Sequence, residues 1–340
     1  MARTAVTIKD VAREAKVSVA TVSRALNGHD NVAESVRQLV IATADRLRYQ
    51  PHAAARSLSS RRTQTIGVVL PDLYGEFFSE LIRGIDQVAR AHRQHLLVSS
   101  YHGHPEEQGE ALRAMRGRVD GLLVLSPYVD RPGFLTENLP AYLPAVLINT
   151  HLEDAAYPVL SIDNYGGAVT MTRHLLDAGH RHIAFIGGPD DNFDARERLR
   201  GFRDAIKAGD AQAMELPGDF SEAKGYEAGK QLLAASERPH AVFAANDMMA
   251  LGCLYAFNEA GVQVPGDIAL AGFDDIPLAR FVHPPLTTMQ VSIAELGGHA
   301  MTRLLEGIEA TEAQPATTHT LVPELIVRDS SARNSPQRKR

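Results

Sequence analysis

The sequence predicts a small all-α head joined to a larger α/β body of two doubly wound lobes. Three observations carry this. The first fifty residues hold three stretches of helical spacing and no strand signal. From Gln64 onward, continuous apolar runs such as TIGVVLPD alternate with amphipathic stretches, the rhythm of an open parallel sheet. That rhythm restarts near residue 165, and 340 residues are too many for one compact core. At 44% hydrophobic and 22% charged, the composition is that of an ordinary soluble chain. No apolar run reaches the roughly 18 residues of a membrane span, and MARTAVTIKDVAREAKVS has no apolar leader core. Cys253 is the single cysteine, so no internal disulfide forms. A cytoplasmic protein without a membrane partner is expected.

Charge is unevenly spread. Residues 1–62 carry eleven Lys/Arg against five Asp/Glu, a local net of +6, while the other 278 residues net −12. A basic head on an acidic body fits a polyanion partner for the head alone. Thr7 with Asp10 resembles a capping box that starts the first helix. Lys16-Val17 makes a short break, Ser18 caps a second helix, and Asn27-Gly28 stops it. A third helix runs from about Glu34 to Leu47, with Val36, Leu39, Val40, Thr43, Ala44 and Leu47 on one stripe.

Two short helices across a tight turn with a longer supporting helix are the parts of a helix-turn-helix unit. Val11, Ala12, Val22 and Leu26 would fill its core, leaving the first turn of the second helix free to enter a major groove. There Val19 and Ala20 suit a thymine methyl, Arg24 a guanine or phosphate, and Thr21, Ser23 and Asn27 phosphates. The competing reading makes Val19 and Ala20 plain helix filler.

TIKDVAREAKVSVATVSRALNG, continued by LRYQPHAAARSLSSRRTQTIGVVLPD, resembles the headpiece of the lactose/galactose-repressor (LacI/GalR) family of bacterial transcription factors. The resemblance implies a hinge over 51–63 that folds on operator DNA and places a leucine, here Leu58 with Ala55 beside it, in the minor groove. His52 stands where that family usually has asparagine. The expected DNA contacts are Thr7, Ser18, Val19, Ala20, Thr21, Ser23, Arg24, Asn27, His52, Ala55 and Leu58.

In the body, TIGVVLPD, HLLVSSY, DGLLVLSP and PAVLINTH read as strands, with helices over FFSELIRGIDQVARAHR and EEQGEALRAMRGRV. The second lobe reads as AVTMTRHLLDAGH (helix), HIAFIGG (strand), ARERLRGFRDAIKAG and KGYEAGKQLLAAS (helices), AVFAAND (strand), MMALGCLYAFNEAG (helix) and IALAGFDD (strand). Runs of four or more apolar residues fit strands buried on both faces. The resemblance implies a periplasmic-binding-protein-like effector domain over 64–330, crossed between lobes near Ile162, Ser292 and Val322. The N-lobe would be 64–162 with 292–322, and the C-lobe 163–291 with 323–330. A disordered tail is expected over 331–340, and its lack of a heptad helix favours a homodimer.

Doubly wound sheets hold ligands at the carboxyl ends of their strands. Asp72, Leu73, Phe77, Asn149 and Asp163 are candidates on that ground. The resemblance adds Arg198, Phe220, Asn246 and Asp274, a set suited to a sugar or sugar derivative, with Arg198 able to fork onto two oxygens. Asp247 and Asp275 read instead as caps or supporting groups. No cofactor or metal is expected. His102-x-His104 and His180-x-His182 lack further ligands, GGPDDN lacks a phosphate-loop lysine, and Cys253 reads as a buried hydrophobe. With no catalytic constellation assembled, an enzyme is not expected. The leading reading is a ligand-responsive repressor of carbohydrate genes that binds a pseudopalindromic DNA operator. The alternative is a sugar-binding transport protein on the same two lobes.

Overall fold

At the start of α1 (Ile8–Glu14), the Asp10 carboxylate accepts from both the Thr7 backbone N–H (3.0 Å) and the Thr7 hydroxyl (2.7 Å). That sets a negative charge at the positive end of the helix. The structure, a computed structural model, describes residues 6–26, 31–49, 62–129, 131, 133–140, 142–151, 157–310 and 316–332. Two units result, Met1–Thr63 and Gln64–Arg340.

In the first unit, Lys16 takes a left-handed turn (φ 56°) between α1 and α2 (Val19–Leu26). Ser18 Oγ caps α2 by accepting from the Thr21 N–H at 3.0 Å. α3 (Glu34–Arg46) lies against both, and Val11, Ala12, Val22, Ala25, Val40, Ala44 and Tyr49 form the core. Two expected core positions differ. Leu26, in the last turn of α2, is only half-buried and Ala25 takes its place. Leu39, at the margin of the α3 stripe, is 50% exposed because the other two helices leave it uncovered.

The second unit holds two parallel sheets. The first has six strands in the order β11-β5-β4-β3-β1-β2, namely β1 (Thr65–Leu70), β2 (His95–Ser100), β3 (Gly121–Leu125), β4 (Ala145–Ile148), β5 (Val159–Ile162) and β11 (Thr318–Leu321). The second has the order β7-β6-β8-β9, from β6 (His182–Ile186), β7 (Gln212–Leu216), β8 (Ala241–Ala244) and β9 (Ala269–Ala271). β3, β4, β6 and β8 are buried at every residue, which is why their sequences are apolar runs, His182 at the start of β6 excepted. β7 has no such signal: it is a sheet edge with exposed residues in QAMEL, and the sequence reading passed over it.

After β5 the chain enters the second lobe through the helix Asn164–Asp177, which packs on the helix Phe193–Ala208. It returns after β10 (Thr288–Gln290) at Ser292, which takes φ 47°, and runs as the helix Ile293–Glu309 against the helix Glu76–Ala91. From β11 it goes back to β12 (Glu324–Ile326), antiparallel to β10. At the helix pair, Gly84 meets the backbone of Ala294 so closely that a Cβ would overlap the Ala294 carbonyl. Gly84→Val is therefore expected to cost about 3 kcal/mol and to lower the melting temperature by roughly 6–12 °C, read by thermal denaturation.

Candidate functional site

On the head, Thr7, Ser18, Val19, Ala20 and Arg24 are exposed, and Thr21 and Ser23 are half-buried. Val19 is 41% exposed although it is a large aliphatic residue in the first turn of α2. Val22 and Ala25, one turn further on, fill the core instead. Neither Val19 nor Ala20 is part of the core of the head. The expected contacts Asn27, His52, Ala55 and Leu58, with residues 51–61 of the hinge, lie outside the described residues.

In the second unit, the carboxyl ends of β1, β3, β6 and β8 converge on one cleft. Its inner chamber, about 520 Å³, is lined among others by Phe77, Phe78, Tyr128, Asn149, Asp194, Arg198, Phe220, Asn246 and Asp274. Six of the nine effector candidates thus share one wall system: Phe77, Asn149, Arg198, Phe220, Asn246 and Asp274. Asp72 lines a second, outer chamber of about 960 Å³ that shares Phe77, Phe78, Tyr128 and Phe220 with the first.

Two candidates do not line either chamber. Leu73 is 49% exposed, turned away by the loop that Asp72 Oδ1 ties down through the Leu73 and Tyr74 N–H groups (2.6 and 3.1 Å). Asp163 is spent as a helix cap, accepting from the Gly166 N–H at 2.8 Å. The next residue, Asn164, does the work near the cleft.

Arg198 is 4% exposed and organises the inner chamber. Its Nε donates to Asn164 Oδ1 (2.8 Å), its Nη1 to the Ala245 carbonyl (2.5 Å), and its guanidinium stacks on the Phe273 ring at 3.9 Å. Only Nη2 remains toward Asp274, 3.3 Å from Oδ1. The expected two-oxygen fork onto a ligand is thus largely committed to the protein. Asn246 is likewise committed: Oδ1 caps the next helix at Met249 N–H (3.0 Å), and Nδ2 donates to the Phe220 carbonyl (3.0 Å). It lines both chambers while its amide also caps the helix. Asp247 is buried beside it, accepting from the Thr288 hydroxyl (2.6 Å) and the Ile276 N–H (3.0 Å). Asp275 accepts from Arg328 (2.6 Å) and Gln290 (2.8 Å).

Asp194 was not foreseen. It accepts from Asn149 Nδ2 (2.8 Å) across the cleft and from Asn164 Nδ2 (2.9 Å). Burial pushes its carboxyl up to about 6, against the pull of Arg198. Burial also pushes Asp274 up to about 6; Arg198 opposes this and Asp194 adds to it. Two acceptors are left over. Asn149 Oδ1 and Asp274 Oδ1 are buried without a hydrogen-bond donor, Asp274 having only the charge of Arg198 nearby. A buried acceptor without a donor is costly, so the chamber is built to receive donors. Asn149, Phe220 and Asp274 also take left-handed backbone conformations (φ 48°, 72° and 115°) that non-glycine residues adopt at a cost of about 1–3 kcal/mol each.

Further bonds cross the cleft at its mouth. The Tyr74 hydroxyl donates to the Glu222 carboxylate (3.1 and 3.2 Å), and the Leu278 N–H donates to Glu76 (3.1 Å). Deeper in, the Phe193 N–H donates to the Pro127 carbonyl (2.9 Å).

Comparison with known proteins agrees with this architecture. Residues 7–52 match the model for bacterial regulatory proteins of the lacI family, and residues 172–331 match a periplasmic binding protein-like domain. The ribose operon repressor of Escherichia coli (strain K12) is 37% identical over 329 residues, covering 96% of this chain and 99% of its own. The chain belongs to the LacI family. Catabolite control protein A of Priestia megaterium is 35% identical over 305 residues, covering 88% of this LacI-family chain and 91% of its own. The crystal structure of the lac repressor dimer bound to operator and the anti-inducer ONPF superposes with a TM-score of 0.85 at 29% identity, covering 96% of this chain and 99% of that one. This LacI-family protein is therefore a DNA-binding transcriptional regulator. Among the described residues, no helix is long and apolar enough to cross a membrane.

Proposed function

We propose that the protein is a cytoplasmic repressor of genes for carbohydrate uptake and breakdown, and that a sugar-like effector in the cleft sets its grip on DNA. Residues 1–50 form the DNA-reading domain, 51–63 the hinge and 64–330 the effector and dimerisation domain. As a homodimer it binds a pseudopalindromic operator, since a two-fold assembly demands a two-fold site. Thr7, Ser18, Thr21, Ser23 and Arg24 hold the backbone while Val19 and Ala20 read bases.

The observation that carries the effector reading is the pair of donor-less buried oxygens, Asn149 Oδ1 and Asp274 Oδ1, in one aromatic-walled chamber. A polyhydroxyl ring supplies hydroxyl donors to both and an apolar face to Phe77 and Phe220. Asn149 belongs to the first lobe and Asp274 to the second, so such a ligand favours the closed cleft and thereby one arrangement of the two lobes. Coupling of this kind is typically about 1–3 kcal/mol.

The test is a thermal-shift screen of sugars, followed by operator binding with and without each hit. An effector at 100 times its Kd should stabilise the fold by about 2.7 kcal/mol and change operator affinity. A protein that no sugar stabilises sinks this reading. The pH dependence is also fixed in sign. A hydroxyl donating to Asp274 favours its ionised form, so binding expels a proton at pH values under the unliganded value of about 6. Effector affinity should hold from pH 7 to 8 and fall below pH 6, by roughly tenfold per unit at most. A flat titration from pH 5 to 8 would show that no ionised carboxylate meets the ligand.

A further inference from the structure

Resting on the reading of the cleft as the effector site, we propose that the effector is longer than one sugar ring and carries no phosphate. Its first ring occupies the inner chamber and an uncharged second unit the outer one. The two chambers are continuous: Phe77, Phe78, Tyr128 and Phe220 border both, so aromatic surface runs from one to the other. The outer chamber is the roomier of the two, about 960 Å³ against 520 Å³ with the space open to solvent counted in both. A ligand confined to the inner chamber would leave the larger space to water.

The chemistry of the outer wall fixes the kind of second unit. Asp72, Asp191 and Asp219 line it together with His102 and His104, and among the described residues no lysine or arginine does. Asp72 and Asp219 each spend Oδ1 on their own loops, the latter on the Ser221 N–H (2.8 Å) and hydroxyl (2.6 Å). That leaves a second carboxylate oxygen on each for a ligand hydroxyl. At the shared wall, burial raises the Tyr128 phenol against the pull of a hydrogen bond with Asn192, and the charges of Asp191, Asp194 and Asp72 add to the rise. A phosphate dianion there would meet three carboxylates with no lysine or arginine among the described lining residues to offset them, whereas hydroxyls would meet acceptors. The Tyr74–Glu222 bond spans the lobes at this outer chamber and roofs it when the cleft is closed.

The experiment is isothermal titration of the full-length protein with three sets of probes. They are single sugars (glucose, galactose, ribose, xylose), disaccharides (maltose, cellobiose, lactose, melibiose, trehalose), and the phosphates glucose 6-phosphate, ribose 5-phosphate and trehalose 6-phosphate. At least one disaccharide is expected to bind ten or more times tighter than any single sugar, and each phosphate at least tenfold weaker than its parent. In Asp72→Asn/Asp219→Asn the penalty on the phosphates should shrink severalfold, because the repelling charge has gone. A single sugar that binds as tightly as every disaccharide overturns the proposal while leaving the cleft as the effector site. So does a phosphorylated sugar that outbinds its parent. Silence across all three sets overturns the sugar reading itself, and this extension with it.

Discussion

Arg198→Met is expected to destabilise the effector domain by about 3–5 kcal/mol and to abolish the effector response. The guanidinium holds four things at once: the Asn164 side chain, the Ala245 carbonyl, the charge of Asp274 and the face of Phe273. Methionine can fill the volume against Phe273, but it leaves the Asp274 and Asp194 carboxyls buried with no cation. Each then favours its protonated form more strongly than before. Their folded-state values, about 6 already in the intact protein, rise further, above the ordinary carboxylate range of the unfolded chain. A group raised in this way is most favourable to folding at low pH and becomes costly as pH climbs through its folded value. The loss in the variant should therefore be larger at pH 8 than at pH 6. Arg198→Met/Asp274→Asn should recover part of the stability, because one uncompensated charge is removed. Arg198→Lys keeps the charge but not the planar fork, and should keep more stability than effector response. Thermal melts at the two pH values and effector-dependent release from operator read both effects. If the single and double variants melt alike at pH 8, Arg198 is a packing residue and the charge account is wrong.

The ease of reading the sequence tracked how each residue spends its polar groups. Fully buried strands such as GLLVL and AVFA announce themselves because both faces exclude polar side chains. QAMEL, on an edge, follows no such rule and left no mark. At the site, Asp274 comes from the family resemblance, whereas the strand-end logic finds Asn149 because the end of a parallel strand is where ligands reach the backbone. It overshot at Leu73 and fell one residue short at Asp163, where a cap and a bridging amide stand side by side and spacing cannot tell them apart. Asp194 was missed for a different reason. In NFDARERLRGF it sits in a highly charged first turn, which reads as a solvated helix start. Only the fold shows that Asn149 and Asn164 converge on it from elsewhere. Asn192, two residues earlier, is the legible part of that turn, capping the Ala195 N–H at 3.0 Å.

Exchanging Val19 and Ala20 should change which DNA the protein selects while leaving the fold of the head intact. The structural half of that expectation follows from exposure. Neither side chain belongs to the core of Val11, Ala12, Val22 and Ala25, so Val19→Thr/Ala20→Gln removes no packing and opens no cavity. The cap of the helix rests on Ser18 Oγ and is untouched. The functional half follows from chemistry. Two small apolar groups at the mouth of a groove-reading helix favour thymine methyls, whereas glutamine offers a donor–acceptor pair matched to adenine. A good base contact is worth about 1–3 kcal/mol, and a two-fold dimer makes each contact twice. The preference between old and new operators should therefore shift by roughly 2–6 kcal/mol, about thirtyfold to twenty-thousandfold. Selection from a random duplex pool, at fixed salt so that phosphate contacts stay constant, would return a changed base at the same position of both half-sites. Effector-induced changes in affinity should persist on the new operator, since the cleft residues are unaltered. Selection of the old sequence with uniformly weaker binding would assign these side chains to the phosphate backbone. A head that melts in the variant would return them to the core, and the exposed first turn of α2 would need another purpose.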